Sequence, residues 1–423
     1  MKILIVNTSD IQGGAARAAY RIHKGLRKIG VDSHLRVQIK MGNEPTVSGH
    51  SGKKTVLINK VRLLLDQIPV LLHRRHNKDV FAPAWLPDRT WLKILADNPD
   101  IIHLHWITKA FIQIESLARF NKPIVWTLHD MWAFTGGCHY DVGCGRFRIH
   151  CGACPILESS QEHDLSHRVL SRKYQALQNL NLTIVTPSRW LANCAKESAL
   201  LGGFRVEVIP NGLDLSLYQP MNKDKARVLL GLPTDKQLIL FGAMDATDNK
   251  RKGFGYLQTA LQELAKKWSE RAVAIVFGAF QPKKTPQMGL PIQYLGPIQS
   301  DEKLVALYSA ADVFVAPSVQ ENLSNTVMES LACGTPCVAF DIGGMPDMIE
   351  HEKNGYLAKP YQSEELTKGI AWVLEDQARW QFISQRARAK VEQKFELSHI
   401  ARRYLALYEE LLSSNQTQKR ATL

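Results

Sequence analysis

No stretch of this sequence approaches the ~20 consecutive apolar residues that a membrane-spanning helix requires, and no low-complexity tract or internal repeat interrupts it. The opening run from Met1 to Val6 turns apolar at once and soon meets Asp10. It lacks the basic region, long apolar segment and small-residue cleavage site of a secretory signal, so a cytoplasmic chain is predicted. Acidic residues are scarce in one half only. Residues 1–210 hold 16 Asp and Glu against 28 Lys and Arg, a net +12, whereas residues 211–423 hold 24 against 25. The basic half could attract an anionic surface. Its aromatic residues are not interleaved with basic ones in a recognition module, which argues against a nucleic-acid partner. With 45% apolar and 22% charged residues among 423, the chain has the composition of a folded protein of two or three domains.

Short β-branched strands alternate with helical patterns twice over, the signature of parallel sheets covered by helices on both faces. The first half offers strands at Lys2–Asn7, His34–Gln38, Ile101–His105, Ile124–Leu128, Leu182–Thr186 and Val206–Ile209. The second offers Leu238–Gly242, Val273–Gly278, Ile292–Leu295, Val313–Ala316 and Cys337–Phe340, then charged helical patterns over 363–376 and 377–411. The predicted class is α/β, with two Rossmann-like domains facing across a deep cleft lined by the carboxyl ends of their strands. Residues 51–80 break the rhythm. Seven basic and two acidic residues frame a strongly apolar stretch interrupted by Pro69. This reads either as a basic amphipathic helix lying on an anionic membrane or as an ordinary helix packed on its own domain.

Three places suit phosphate and sugar chemistry. Gly13-Gly14 stands between the first strand and a helix, where free amide hydrogens can face an anion. Lys250-Arg251-Lys252-Gly253 repeats that placement with three cations, which suits a diphosphate. The segment from Pro317 to Glu329 puts Glu321 in a loop and Glu329 in the following helix. Asn322, Leu323, Ser324 and Asn325 offer helix amides between the two carboxylates. His129 follows the strand Ile124–Leu128, where an imidazole can reach a sugar hydroxyl, and His105 ends its own strand close by in sequence.

The Glu321–Glu329 spacing, ahead of Gly334-Thr335-Pro336, resembles the signature of the retaining glycosyltransferases of family 4. Pro210-Asn211-Gly212-Leu213-Asp214, Lys252-Gly253, Gly343-Gly344-Met345-Pro346-Asp347 and Asn354-Gly355-Tyr356-Leu357 are similar to further segments of that family, in the same order. The resemblance implies the GT-B fold. Residues 1–209 form an acceptor-side domain and 210–385 a nucleotide-sugar domain, with 386–423 a helical segment returning to the first. It also implies retaining transfer of a hexose from a nucleotide sugar, commonly a UDP-hexose, to a glycan or lipid-linked saccharide, with no metal required. Under this resemblance His129, Lys252 and Glu321 act in catalysis. Gly13, Gly14, Arg251, Asn322, Leu323, Ser324, Asn325 and Glu329 hold the donor. The family's usual Arg has no counterpart in Phe241-Gly242-Ala243-Met244, which makes Arg251 the candidate for that charge. Another nucleotide-sugar enzyme of the same fold, an epimerase or inverting transferase, stays open, as does a non-enzymatic binder of anionic surfaces.

A Cys-rich insertion spans about 132–158. Cys138, Cys144, Cys151 and Cys154 follow the spacing C-x5-C-x6-C-x2-C, which has the ligand count for a structural zinc. The same spacing is compatible with a reduced loop. Trp132, Phe134 and Tyr140 in this insertion, with His105, are the acceptor-side candidates. If the acceptor is lipid-linked, the chain would work at the inner face of a membrane.

Overall fold

The structure, a computed structural model, describes residues 1–73, 81–242, 249–283 and 285–421. It divides into two compact units, Met1–Gly212 with Ser398–Leu423, and Leu213–Leu397.

The first unit is built on seven parallel strands: β1 (Lys2–Ser9), β2 (Asp32–Ile39), β3 (Val47–His50), β4 (Ile101–Leu104), β5 (Ile124–Thr127), β6 (Leu182–Thr186) and β7 (Arg205–Val208), in the order β3-β2-β1-β4-β5-β6-β7. The order reverses between β1 and β4, so the loops leaving these two strands diverge and leave a crevice at their carboxyl ends. Thr8 N donates to the Trp106 carbonyl at 2.8 Å and Trp106 N to Asn7 Oδ1 at 2.9 Å, fixing the start of that divergence. Both faces of β1 are buried because helices cover both sides. Ile3 and Ile5 pack with Ile22 and Leu26 of the helix Gly14–Lys28 and with Ile400, Tyr404 and Tyr408 of the terminal helix Leu397–Ala421. Leu4 and Val6 face the opposite layer.

The second unit repeats the plan with six parallel strands: β8 (Gln237–Gly242), β9 (Ala272–Phe277), β10 (Ile292–Tyr294), β11 (Val313–Ala316), β12 (Cys337–Phe340) and β13 (Gly355–Ala358), ordered β10-β9-β8-β11-β12-β13. Its switch point lies between β8 and β11, so the loops after these strands bring residues 250–253 and 317–324 together.

Two differences from the sequence reading concern boundaries. The continuous helical pattern over 377–411 is two helices, Gln377–Lys394 and Leu397–Ala421. The second unit reaches Leu397 instead of ending at 385, because Ile383, Ala387 and Val391 are buried in its core. A parallel bridge between Leu213 and Glu396 closes that unit where the chain enters and leaves it.

Candidate active site

In the second unit, the turn Lys250–Lys252 opens the helix Phe254–Trp268, and the loop after β11 leads to the helix Asn325–Ala332. The two are stitched by backbone: Val319 N donates to the Arg251 carbonyl at 2.9 Å. Gly253, at φ +72°, lies so close to this loop that a Cβ there would stand 1.8 Å from the Pro317 carbonyl oxygen. A third loop locks the arrangement. Gly344 N donates to the Glu321 carbonyl at 3.1 Å, and a Cβ on Gly343 would meet that same oxygen at 1.9 Å.

This scaffold places one carboxylate between two cations. Lys252 Nζ donates to Glu321 Oε2 at 2.6 Å, and Arg251 Nη1 donates to the same oxygen at 3.1 Å and to the Gln320 carbonyl at 2.8 Å. Glu321 is 7% exposed. Burial alone would raise its carboxyl, but Lys252 first and Arg251 second outweigh that and hold it down at about 2. Burial lowers the Lys252 ammonium from its ordinary value, with Glu321 opposing and Arg251 adding. A charged carboxylate under two concentrated cations results.

Asn322, Leu323 and Ser324 are buried, and Ser324 caps the helix by accepting from Val327 N at 3.4 Å. Glu329 is buried deeper in that helix and accepts a hydrogen bond from the Tyr308 hydroxyl at 2.9 Å. Tyr308 was invisible to sequence reasoning, because only the packing of two helices brings it there. Ala243 and Met244, where the family resemblance expects an Arg, lie outside the described residues.

In the first unit, Gly13 precedes the helix Gly14–Lys28 and its carbonyl accepts from Arg17 N at 3.0 Å. His129 follows β5 and its Nε2 lies 2.8 Å from His105 Nδ1, the two rings stacked at 5.1 Å. Desolvation lowers His129 to about 4 and takes His105 well below its ordinary value, so both are neutral near pH 7. Behind them, His103 Nε2 lies 2.8 Å from Thr127 Oγ1, and its Nδ1 lies 2.7 Å from the Tyr408 hydroxyl of the terminal helix. Thr127 Oγ1 also lies 3.0 Å from the Tyr404 hydroxyl. A small cavity is lined by His105, Trp106, His129, Asp130 and Trp132, among others.

Asp130 orders the loop beyond. It accepts from Trp106 Nε1 at 2.8 Å and Trp132 N at 2.9 Å, and pairs with His139 at 2.6 Å. Of the acceptor-side candidates, Trp132 lines the cavity, its indole N–H donating to the Ala82 carbonyl at 2.8 Å. Phe134 is fully buried against Phe147, a core position instead of a contact surface, and Tyr140 is half-buried against that core.

Cys138, Cys151 and Cys154 are buried and Cys144 is exposed. Among the described residues no group of three or more His, Cys, Asp or Glu is placed to hold a metal ion. Protein groups order this insertion. Asp164 accepts from Cys154 N at 2.8 Å and caps the helix Leu165–Leu177. The buried Lys173 donates to the carbonyls of Trp132 and Thr135 and lies 3.8 Å from the centroid of the Trp132 ring. Desolvation lowers this lysine to about 7. It stands on the stripe of Val169, Leu170, Ala176 and Leu177 that faces the core; a lone cation on an apolar helix face is a signal the sequence did contain.

Residues 12–217 match the model of Glycosyltransferase Family 4, and residues 235–376 that of Glycosyl transferases group 1. Over 362 residues the chain is 25% identical to WcaC of Escherichia coli strain K12, a glycosyl transferase assigned to colanic acid biosynthesis, covering 80% of this chain and 83% of that one. It is 29% identical over 330 residues to the D-inositol 3-phosphate glycosyltransferase of Mycolicibacterium smegmatis, covering 74% and 68%. Among solved structures, sucrose-phosphate synthase of Thermosynechococcus elongatus superposes with a TM-score of 0.70 at 18% identity, over 98% of this chain and 100% of the other. HepE of Anabaena in complex with UDP-glucose gives 0.64 at 20% identity, over 98% and 100%.

Proposed function

The chain belongs to the family 4 glycosyltransferases and has their GT-B fold, and from this premise we propose that it transfers a hexose, with retention, from a UDP-hexose to a hydroxyl of a glycan or lipid-linked saccharide. The observation that carries the reading is the Glu321 carboxylate buried between Lys252 and Arg251. A departing nucleoside diphosphate gathers negative charge as the anomeric C–O bond breaks. Cations fixed in a partly dehydrated site stabilise that charge without reorganising, which is the kind of electrostatic contribution that commonly dominates catalysis. Glu321 holds the cations in place and presents an acceptor-only group to donor-sugar hydroxyls. HepE, a neighbour in fold, is known with UDP-glucose bound, which supports a uridine donor.

Retention is what the family 4 resemblance of the Glu321–Glu329 segment implies. In this reading the acceptor hydroxyl attacks the anomeric carbon from the side of the leaving group. The C–O bond to the diphosphate breaks as the new one forms, and the proton passes to the departing phosphate oxygen. Lys252 and Arg251 take the part that a divalent metal plays elsewhere.

A melting-temperature panel of nucleoside diphosphates and their sugars tests the donor. UDP and one UDP-hexose should raise the midpoint by mass action; no shift with any nucleotide sugar refutes the reading. The product's anomeric configuration, read by NMR, tests retention.

A further inference from the structure

The helix Lys53–Leu71 turns Arg62, Asp66 and Gln67 inward beside the buried Val70. Arg62 Nη2 donates to the carbonyls of Pro87 at 3.0 Å and Ala110 at 3.1 Å, and Gln67 donates to the Phe81 carbonyl at 3.1 Å. Asp66, its one acidic residue, is fully buried and accepts from Trp85 N at 3.1 Å. Leu57, Val61, Leu64, Ile68 and Leu72 recur at spacings of three and four on the opposite side and point outward. Leu57, Leu64 and Leu72 are 63%, 67% and 79% exposed. An amphipathic helix of a lone globular unit is built the other way round.

We propose that this face docks the chain onto an anionic lipid bilayer. The charge pattern selects this occupant. With Asp66 turned inward, the exposed charges described on the helix are those of Lys54 and Lys60, which flank the apolar stripe. Trp85, 37% exposed, has its indole N–H tied to the Asp66 carbonyl at 3.1 Å, an amphipathic ring suited to the headgroup boundary. A second copy would set these lysines, and a half-chain of net charge +12, against themselves. No helix among the described residues is long and apolar enough to cross a membrane, so the helix lies in the plane of the interface.

The proposal deepens the reading of a lipid-linked acceptor and rests on it only for what the bilayer delivers. Vesicle binding needs neither donor nor turnover, so the two fail separately. The test is flotation of the full chain with phosphatidylcholine vesicles, with and without about 30% phosphatidylglycerol. Binding to the anionic vesicles should be at least about tenfold tighter, and Lys54→Gln with Lys60→Gln should remove most of that preference. Leu57→Gln, Leu64→Gln and Leu72→Gln together should weaken it about a hundredfold. These side chains face outward, so the melting midpoint and its shift by UDP should be unchanged. Equal affinity for neutral and anionic vesicles, no binding, or full binding by the triple variant overturns the proposal. So does a dimer, seen by sedimentation, that the triple variant dissolves while vesicles are ignored.

Discussion

Replacing Glu321 with Gln keeps the shape of the side chain and removes its charge from between Lys252 and Arg251. A carboxyl held at about 2 instead of its usual 4.5 reflects roughly 3 kcal/mol of favourable interaction, at about 1.4 kcal/mol per pH unit. The variant should lose most of this, because two neighbouring cations are left without their counterion. For a unit the size of Leu213–Leu397, that corresponds to a midpoint lower by roughly 5–12 °C at pH 7. The pH dependence is diagnostic. The folded carboxyl titrates below the unfolded one, so its stabilisation is complete above about pH 4.5 and fades as pH falls toward 2. The gap between wild type and variant should therefore narrow on acidification. Binding of UDP by calorimetry should be unchanged or stronger, since the cations are released to the diphosphate, while transfer falls by about two orders of magnitude or more. A variant that melts within about 1 °C of wild type and turns over normally would refute the assignment of Glu321.

Lys252→Ala should weaken UDP about 10- to 150-fold, the worth of one charge-assisted contact, and Arg251→Ala should weaken it less; wild-type affinity in both would sink the diphosphate assignment. Gly343→Ala drives a Cβ into the Glu321 carbonyl, so turnover should drop even where circular dichroism reports an intact fold. Transfer assayed in EDTA should match transfer in magnesium, because Lys252 and Arg251 carry the charge stabilisation; a strict metal requirement would contradict this. His103 and His129 are held at about 3 and 4 by burial. Folded values below unfolded ones mean that their stabilisation is present above about pH 6.5 and is lost as pH falls, by about 1.4 kcal/mol per unit for each. Denaturant melts between pH 7 and 5 should show this loss, and Tyr408→Phe should lower stability by about 1–3 kcal/mol at any pH in that range by stranding His103 Nδ1.

Strands buried on both faces were legible because near-continuous β-branched runs have few other uses. β3, Val47–His50, was missed: four residues with Ser48 and Gly49 among them carry no period, and only its register against β2 makes it a strand. β13, Gly355–Ala358, was noticed as a motif and not as a strand for the same reason. The break at Phe395–Glu396 was hidden in an unbroken charged pattern. Its signal is a backbone bridge to Leu213, 183 positions earlier, which no local reading contains. Lys252, Arg251 and Glu321, singled out in the sequence by the family resemblance, are brought into contact by the fold. The hold of Gly343 and Gly344 on the Glu321 carbonyl, and the hydroxyl of Tyr308 on Glu329, are tertiary facts. The helix Lys53–Leu71 was visible as composition. Which of its sides turns outward depended on where Arg62, Asp66 and Gln67 found partners.

The terminal helix, whose Ile400, Tyr404 and Tyr408 fill one layer of the first sheet, has a bearing on how the chain is born. All seven strands of that sheet leave the ribosome before residue 213, yet the helix that completes this layer emerges only after residue 397. The intervening Leu213–Leu397 is contiguous and can close by itself while synthesis continues. The contiguous second unit can thus become native first, although it is translated second. Throughout that interval the nascent first unit carries an uncovered apolar face and His103 and Thr127 without their tyrosine partners. A chain released after Leu397 should accordingly show a protease-resistant second unit attached to a protease-sensitive first, and the two should become equally resistant only in a chain that includes the helix Leu397–Ala421.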